Sequence, residues 1–288
     1  MDIKAIILGL SFALIWSSAF TSARIIVTQA PPLTISALRF FIAGCIAVAI
    51  ARMMGQGFRL TPGQWRAVIM FGICQNAIYL GLNFVAMQTV QASLAAIIAS
   101  SMPLLVALIG WLVLKERVPA IGIIGLILGL AGVGLIMGAR IAGDVDPTGI
   151  AMCVIAALAL AVATLTVKGA SSGGNLMTVV GLQMWVGGAV LLVAALIFEE
   201  MVINWTLEIG LAFAYTTLVP GVIATFIWFV LVARIGAVKA ATFHFLNPFF
   251  GVVIAYVLLG EDLSMTDAVG VVVITIGILA VQLSKQKT

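Results

Sequence analysis

The sequence predicts an all-α polytopic membrane protein: ten transmembrane helices arranged as two inverted five-helix repeats around a central cavity. Three observations lead there. Of the 288 residues, 64% are hydrophobic and 8% are charged, whereas a soluble domain carries about 25% charged residues. A helix needs about 20 apolar residues to cross roughly 30 Å of hydrocarbon, so about ten helices with short loops account for nearly the whole chain and leave no room for a soluble domain. The stretch Ser93 to Glu116 is written again 145 positions later as Val238 to Glu261, with Pro103 on Pro248, Ile109 on Ile254, Leu114 on Leu259 and Glu116 on Glu261. An interior proline deletes a backbone hydrogen bond and bends a helix, so its recurrence at one register marks a duplicated unit.

Charges, prolines and glycine-rich turns set the boundaries. Helix 1, over 4–27, is an apolar run between Lys4 and Arg24. It is longer than the apolar core of a leader peptide and many similar runs follow it, so it reads as a spanning helix. Helix 2, 33–52, starts behind Pro31 and Pro32 and closes at Arg52, and helix 3, 65–87, follows the turn at Pro62-Gly63. Helix 4, 92–114, carries Pro103 and stops at the charged knot Lys115-Glu116-Arg117; helix 5, 119–138, starts at Pro119 and ends before Arg140. In the second half, helix 6 covers 148–168 from Pro147 to Lys168, and helix 7 covers 176–198 up to Glu199-Glu200. Helix 8 covers 206–230 before Arg234, helix 9 covers 238–259 with Pro248 inside it, and helix 10 covers 266–284 before Lys285.

Orientation follows from where the basic residues fall. With the N-terminus cytoplasmic, eleven of the 14 Lys and Arg lie inside: Lys4, Arg52, Arg59, Arg66, Lys115, Arg117, Lys168, Arg234, Lys239, Lys285 and Lys287. Arg24 and Arg140 fall outside and Arg39 lies within a span. Both termini are therefore expected in the cytoplasm. Five helices per half is an odd number, so the second copy enters the membrane from the opposite face, and the halves, 1–142 and 143–288, form an inverted repeat. The charges record the inversion: Glu116 has Lys115 and Arg117 beside it, whereas Glu261 has Asp262. Helices 2 and 7 correspond at an offset of 144, which places Arg39 over Gln183 and Gly44 over Gly188. Helices 5 and 10 keep the offset of 145, with Gly125 on Gly270 and Gly132 on Gly277.

Inverted repeats suit a transporter, because two halves related by an in-plane pseudo-twofold can exchange inward-open and outward-open shapes around a midplane site. With Trp16-Ser17-Ser18-Ala19-Phe20 in helix 1, Leu38-Arg39-Phe40 in helix 2, and a proline followed thirteen residues later by glutamate in each half, the chain resembles the drug/metabolite transporter superfamily with two EamA-type repeats. Within it, the chain is most similar to the YddG-like amino-acid exporters. The resemblance covers the whole chain, and its motifs mark the fold more than the cargo. It implies a cell inner-membrane exporter of neutral, especially aromatic, amino acids and related metabolites.

Polar groups are costly in a bilayer core, so those that remain are candidates for a substrate path. Asn76, Tyr79 and Asn83 recur on one face of helix 3, either as contacts to neighbouring helices or as cavity groups. Trp16 and Phe20 share a face of helix 1, and the Trp16 indole N–H lies too deep for an interfacial anchor. His244, the only histidine, lies one turn before Asn247 in helix 9, either satisfied by a neighbour or serving as a cavity hydrogen-bonding group. Trp16, Phe20, Tyr79, Asn83, His244 and Asn247 are therefore the expected substrate contacts, and Pro103 and Pro248 the expected helix bends. Ser100 and Ser101 are expected to bond to their own helix backbone. Arg39 is expected to snorkel toward the outer face, while Trp65, Trp111, Trp205 and Trp228 fall near span ends, where an aromatic belt accounts for them.

Eight of ten carboxylates fall in the expected external loops or at their edges and none at mid-span. That argues against cation-for-proton antiport, and a lone Arg39 argues against a sugar-phosphate cargo. Scattered basic residues give no nucleic-acid surface, and Cys45, Cys74 and Cys153 offer neither metal spacing nor a disulfide framework. No cofactor or metal is expected; the partners are a small-molecule substrate and the lipid bilayer, and the chain is expected to work as a monomer. The remaining rivals are a broad drug or metabolite exporter, a non-transport membrane scaffold, and an intramembrane enzyme, which needs a nucleophile–base pair or metal cluster that the sequence does not place at mid-depth.

Overall fold

Inside hydrocarbon every backbone polar group must find its partner within the chain, which leaves helices as the economical answer for an apolar sequence of this kind. The computed structural model of the chain describes residues 3–113, 115, 119–142, 145–166, 175–235, 240 and 242–285. Leu114, Glu116, Arg117, Lys168, Lys239 and Lys287, on which parts of the charge and repeat arguments rest, lie outside the described residues. Among the described residues nine helices are long and apolar enough to cross a bilayer, and a further apolar helix, Phe243–Leu259, is shorter. Ile7, Leu10 and Leu14 on helix 1 and Val272 and Ile276 on helix 10 are exposed, as a lipid-facing surface requires.

Helices 1 and 2 are continuous over Ile3–Val27 and Pro32–Met53. Helix 3 begins at Pro62, three residues earlier than the charges suggested, because Thr61 and Gln64 form a capping box. The Gln64 N–H donates to the Thr61 hydroxyl at 3.3 Å and the Thr61 N–H donates to Gln64 Oε1 at 2.9 Å. Helix 5 runs Ala120–Ala142, helix 6 Pro147–Thr166, helix 7 Leu176–Phe198 and helix 10 Met265–Lys285.

The four remaining helices are interrupted, at matching registers. Helix 3 passes from α (Pro62–Phe71) into a π stretch (Gly72–Leu80) and back to α (Gly81–Ala86). Helix 8 does the same over Leu207–Thr216, Thr217–Ala224 and Thr225–Ile235. Gly72 plus 145 is Thr217, so both π stretches start at one repeat position. Helix 4 breaks at Ser101 into Ala92–Ser100 and Met102–Leu112, and helix 9 passes from a 3-10 turn, Thr242–Leu246, into Asn247–Leu259. Pro103 and Pro248 each sit in the first turn of the new piece. The interruption falls just ahead of each proline, which in a first turn has no intrahelical N–H bond to lose. Lys115 (φ 54°) and Gly260 (φ 64°) also share a register, both left-handed, where the chain leaves helices 4 and 9.

The same symmetry appears in the packing. Helix 5 lies along helix 10 and helix 2 along helix 7. A Cβ on Gly125 would fall 2.8 Å from the Gly277 carbonyl oxygen, and one on Gly270 would fall 3.3 Å from that of Gly132. Because 125 corresponds to 270 and 132 to 277, these two contacts are one contact seen twice across a pseudo-twofold. Helices 2 and 7 repeat the pattern: Gly44 faces the Gly181 carbonyl at 3.0 Å and Gly188 faces that of Ala37 at 3.4 Å. Small residues let the backbones approach where no hydrophobic drive exists between helices in lipid.

Side chains close the helix ends across the repeat. Glu199 accepts from the N–H groups of Leu33 and Thr34, both at 2.8 Å. At the opposite end Gln56 Oε1 accepts from Met177 at 2.9 Å and Thr178 at 3.2 Å, which are Leu33 and Thr34 moved on by 144. Glu261 accepts from Ala92 at 2.7 Å and Ser93 at 2.9 Å, capping helix 4. Beside it Arg140 pairs with Asp267 at 2.5 Å and donates to Gln91 Oε1 at 2.8 Å. We call the end that carries Glu199, Glu261 and Asp267 the acidic end and the one that carries Arg52, Arg59 and Arg66 the basic end.

Candidate functional site

The interrupted helices decide where polar side chains collect, because a π stretch or a helix break turns groups inward that a straight helix would spend on its neighbours. The break in helix 9 puts His244 and Asn247 one turn apart, both buried. The Asn247 amide nitrogen lies 2.9 Å from His244 Nδ1, a pairing in which the amide donates and Nδ1 accepts. The Ser17 hydroxyl of helix 1 donates to the Asn247 carbonyl at 3.4 Å. Asn247 Oδ1 has no protein partner among the described residues.

Around this pair stands a wall of rings. Phe12 stacks on Trp16 with centroids 5.6 Å apart and lies 4.9 Å from Trp228. His244 meets Phe12 edge-on at 5.3 Å and Trp228 at 5.1 Å. Trp16 is half-buried and its ring lies one turn from Phe12 along helix 1. Helices 1, 8 and 9 thus bring Trp16, His244 and Asn247 into one cluster, together with Phe12, Ser17 and Trp228.

Sequence reasoning missed Phe12 and misplaced Trp228. The aromatic-belt assignment of Trp228 is corrected: helix 8 runs on to Ile235, which moves residue 228 inward from the span end. Trp65, Trp111 and Trp205 are all exposed. Phe20 is buried one turn beyond Trp16, in the main apolar core.

Tyr79 and Asn83 lie elsewhere, on helix 3. Both are 1% exposed, and the Asn83 amide donates to the Tyr79 carbonyl at 2.8 Å, a bond the π stretch leaves within reach. Asn83 Oδ1 has no partner among the described residues. Asn76 donates to the Gln183 carbonyl at 3.0 Å and so ties helix 3 to helix 7. The hydroxyls of Ser100 and Ser101 donate to the carbonyls of Ile97 and Ile98, both at 2.6 Å. Arg39 does not snorkel, which corrects that expectation: it is 5% exposed, and its guanidinium carbon lies 4.5 Å from the Phe40 ring centre and 5.0 Å from that of Phe84 on helix 3.

Among the described residues no three His, Cys, Asp or Glu gather as metal ligands, and the three cysteines are free. The buried carboxylates, Glu261 and Asp267, are at helix ends. What the central cluster offers is ring surface plus neutral hydrogen-bond donors and acceptors.

Comparison with known proteins agrees with the repeat. The profile of the EamA-like transporter family matches residues 3–138 and again 147–283. The chain is 26% identical over 269 residues to the uncharacterised transporter YvbV of Bacillus subtilis, covering 93% of this chain and 88% of that one. It is 28% identical over 291 residues to the uncharacterised inner membrane transporter YedA of Escherichia coli, covering 96% and 90%. A crystal structure at 22% identity superposes with a TM-score of 0.72 over 98% of both chains, a likeness of fold.

Proposed function

The chain belongs to the EamA-like transporter family, and on that premise we propose that it is an alternating-access exporter of neutral, especially aromatic or apolar, amino acids and related metabolites, similar in cargo to the YddG-like exporters. The observation that carries the reading is the cluster of Phe12, Trp16, Trp228, His244 and Asn247, where packed rings meet His244 and His244 meets an amide whose Oδ1 has no partner among the described residues. Ring faces supply stacking surface for an apolar side chain, and the amide and Ser17 supply orientation. Tyr79, Asn83 and Phe20 belong to the same path nearer the acidic end. The halves 1–142 and 143–288 move against each other, with the breaks at Ser101 and ahead of Asn247 as the places where each half yields. Both termini are cytoplasmic, the acidic end faces outward, and the monomer is the working unit.

Absence of a mid-span carboxylate among the described residues favours facilitated or weakly coupled export over proton-driven expulsion of cations. The test is release of radiolabelled phenylalanine, tryptophan, leucine, lysine and glutamate from loaded proteoliposomes, with and without a proton gradient. Saturable release of the aromatic and apolar members, with apparent affinity weakened in Trp16→Ala and Asn247→Ala, is the expected result. Equal release of the whole panel, or wild-type rates in both variants, overturns the proposed cargo and site.

A further inference from the structure

Arg39 is the charged residue that the central cluster does not absorb. It sits seven residues into helix 2 from its start at Pro32, about 10 Å along the axis, and is 5% exposed. Its Nε and Nη2 are shielded from solvent and have no hydrogen-bond partner among the described residues, where the ion pair found joins Arg140 to Asp267. The Phe40 and Phe84 rings lie against the guanidinium. Rings engage a guanidinium through its faces and leave the in-plane N–H edge free, and that edge is the fork which a carboxylate fits with two parallel hydrogen bonds. A buried cation without a counter-charge is among the costliest arrangements in a membrane interior.

The fold itself does not demand this charge. Position 183, the repeat counterpart of Arg39, packs in the same glycine-lined helix pair and is a neutral glutamine. It is buried to the same degree, and its carbonyl takes the Asn76 amide. One half therefore builds this position with a neutral side chain and the other, nearer the acidic end, with a cation whose Nε and Nη2 have no partner among the described residues. Two further buried oxygens on the same elements have no partner among the described residues: Ser36 Oγ, one turn before Arg39 in the sequence, and Asn83 Oδ1, on the residue before Phe84.

We propose that Arg39 is a carboxylate-receiving station in the acidic half, which takes the α-carboxylate of the cargo on its way from the central cluster to the acidic face. The proposal rests on the amino-acid reading above and adds the group of the substrate that is recognised and the residue that recognises it. It also gives the path a direction, since the corresponding position on the basic side is neutral.

The experiment compares L-phenylalanine with L-phenylalaninamide, which lacks the carboxylate, in proteoliposomes carrying wild-type protein, Arg39→Gln or Arg39→Lys. Wild type should prefer the acid over the amide by roughly 10-fold or more in apparent affinity, the scale of a charge-assisted pair. Arg39→Gln should lose that preference while moving the amide at the wild-type rate, which also shows that it folds, and Arg39→Lys should keep part of it. A thermal-shift arm in uncharged detergent separates a solute carboxylate from a lipid headgroup: L-phenylalanine should stabilise wild type and not Arg39→Gln. Phosphatidylglycerol stabilising wild type in place of phenylalanine would overturn the station. Wild-type release of phenylalanine with an unchanged preference in Arg39→Gln, or equal loss of both solutes in both variants, overturns this inference alone. Wild-type vesicles that release neither solute overturn the amino-acid reading and the inference together.

Discussion

Asn247 carries two contacts and one unmet acceptor in one turn: its backbone carbonyl accepts from Ser17 on helix 1, its amide nitrogen faces His244, and its Oδ1 has no partner among the described residues. Asn76, the same residue type on helix 3, spends its amide on the Gln183 carbonyl of helix 7. The two should respond differently to the same substitution. Asn76→Ala should lower thermal stability by about 0.5–1 kcal/mol, the scale of an interhelical hydrogen bond in a membrane, and leave apparent substrate affinity unchanged. Asn247→Ala should weaken apparent affinity by one hydrogen bond, on the order of 1 kcal/mol or about fivefold. Transport kinetics normalised for membrane abundance, beside unfolding curves in detergent, check both; matching profiles for the two variants would remove the distinction between packing and cargo contact. Sequence periodicity could place Asn76, Tyr79 and Asn83 on one face, but not say which of them a neighbouring helix would claim. The partner of Asn76 is a backbone carbonyl 107 residues away, and no local pattern reports that. Phe12 was invisible for the same reason, since one apolar residue in an apolar run has no period to break.

At the scale of elements, prolines and glycines were legible because they mark backbone geometry. Pro103 with Pro248, and the Gly125, Gly132, Gly270 and Gly277 set, revealed the repeat before any contact was known. The π stretches were not legible, because neither Gln75 and Asn76 in Gly72–Leu80 nor Pro220 in Thr217–Ala224 specifies a π turn by its residue type alone. Close backbone approach gives the glycines a measurable role. A Cβ on Gly277 would lie 2.6 Å from the Gly129 backbone and 2.7 Å from the Gly125 carbonyl oxygen. Rigid backbone cannot yield as a side-chain tip can, so Gly277→Ala must push helices 5 and 10 apart. The expected cost is about 1–3 kcal/mol, as for other overpacked interiors. Gly134, on the same helix 5, has open space where its Cβ would go, and Gly134→Ala should be neutral or stabilise by up to about 1 kcal/mol through helix propensity. Unfolding in detergent reads the pair, and equal effects would mean that the glycine contact does not set the spacing of these helices.

At the scale of the whole molecule, an inverted repeat makes the two membrane faces chemically unequal while keeping them geometrically alike. The cap on helix 2 is the carboxylate Glu199, whereas the matching cap on helix 7 is the neutral amide of Gln56. Glu261 ties the end of helix 9 to the start of helix 4, and Arg140 with Asp267 ties helix 5 to helix 10 at that same end. Helix N-termini favour a negative partner, so on the proposed alternating-access reading these carboxylates hold the acidic end shut in one state and are released in the other. Glu261→Gln keeps the shape and removes the charge, which should cost the closed state on the order of 1–2 kcal/mol and shift the open fraction about tenfold per 1.4 kcal/mol. Ser93 reports the change, because it is fully buried behind Glu261. With Cys45, Cys74 and Cys153 replaced by alanine, Ser93→Cys should react slowly with a membrane-impermeant maleimide applied to intact cells. Adding Glu261→Gln should speed that reaction about tenfold. Labelling that occurs only when the reagent reaches the cytoplasm would invert the proposed orientation, and a rate unmoved by Glu261→Gln would mean that this carboxylate caps helix 4 without governing access to the path.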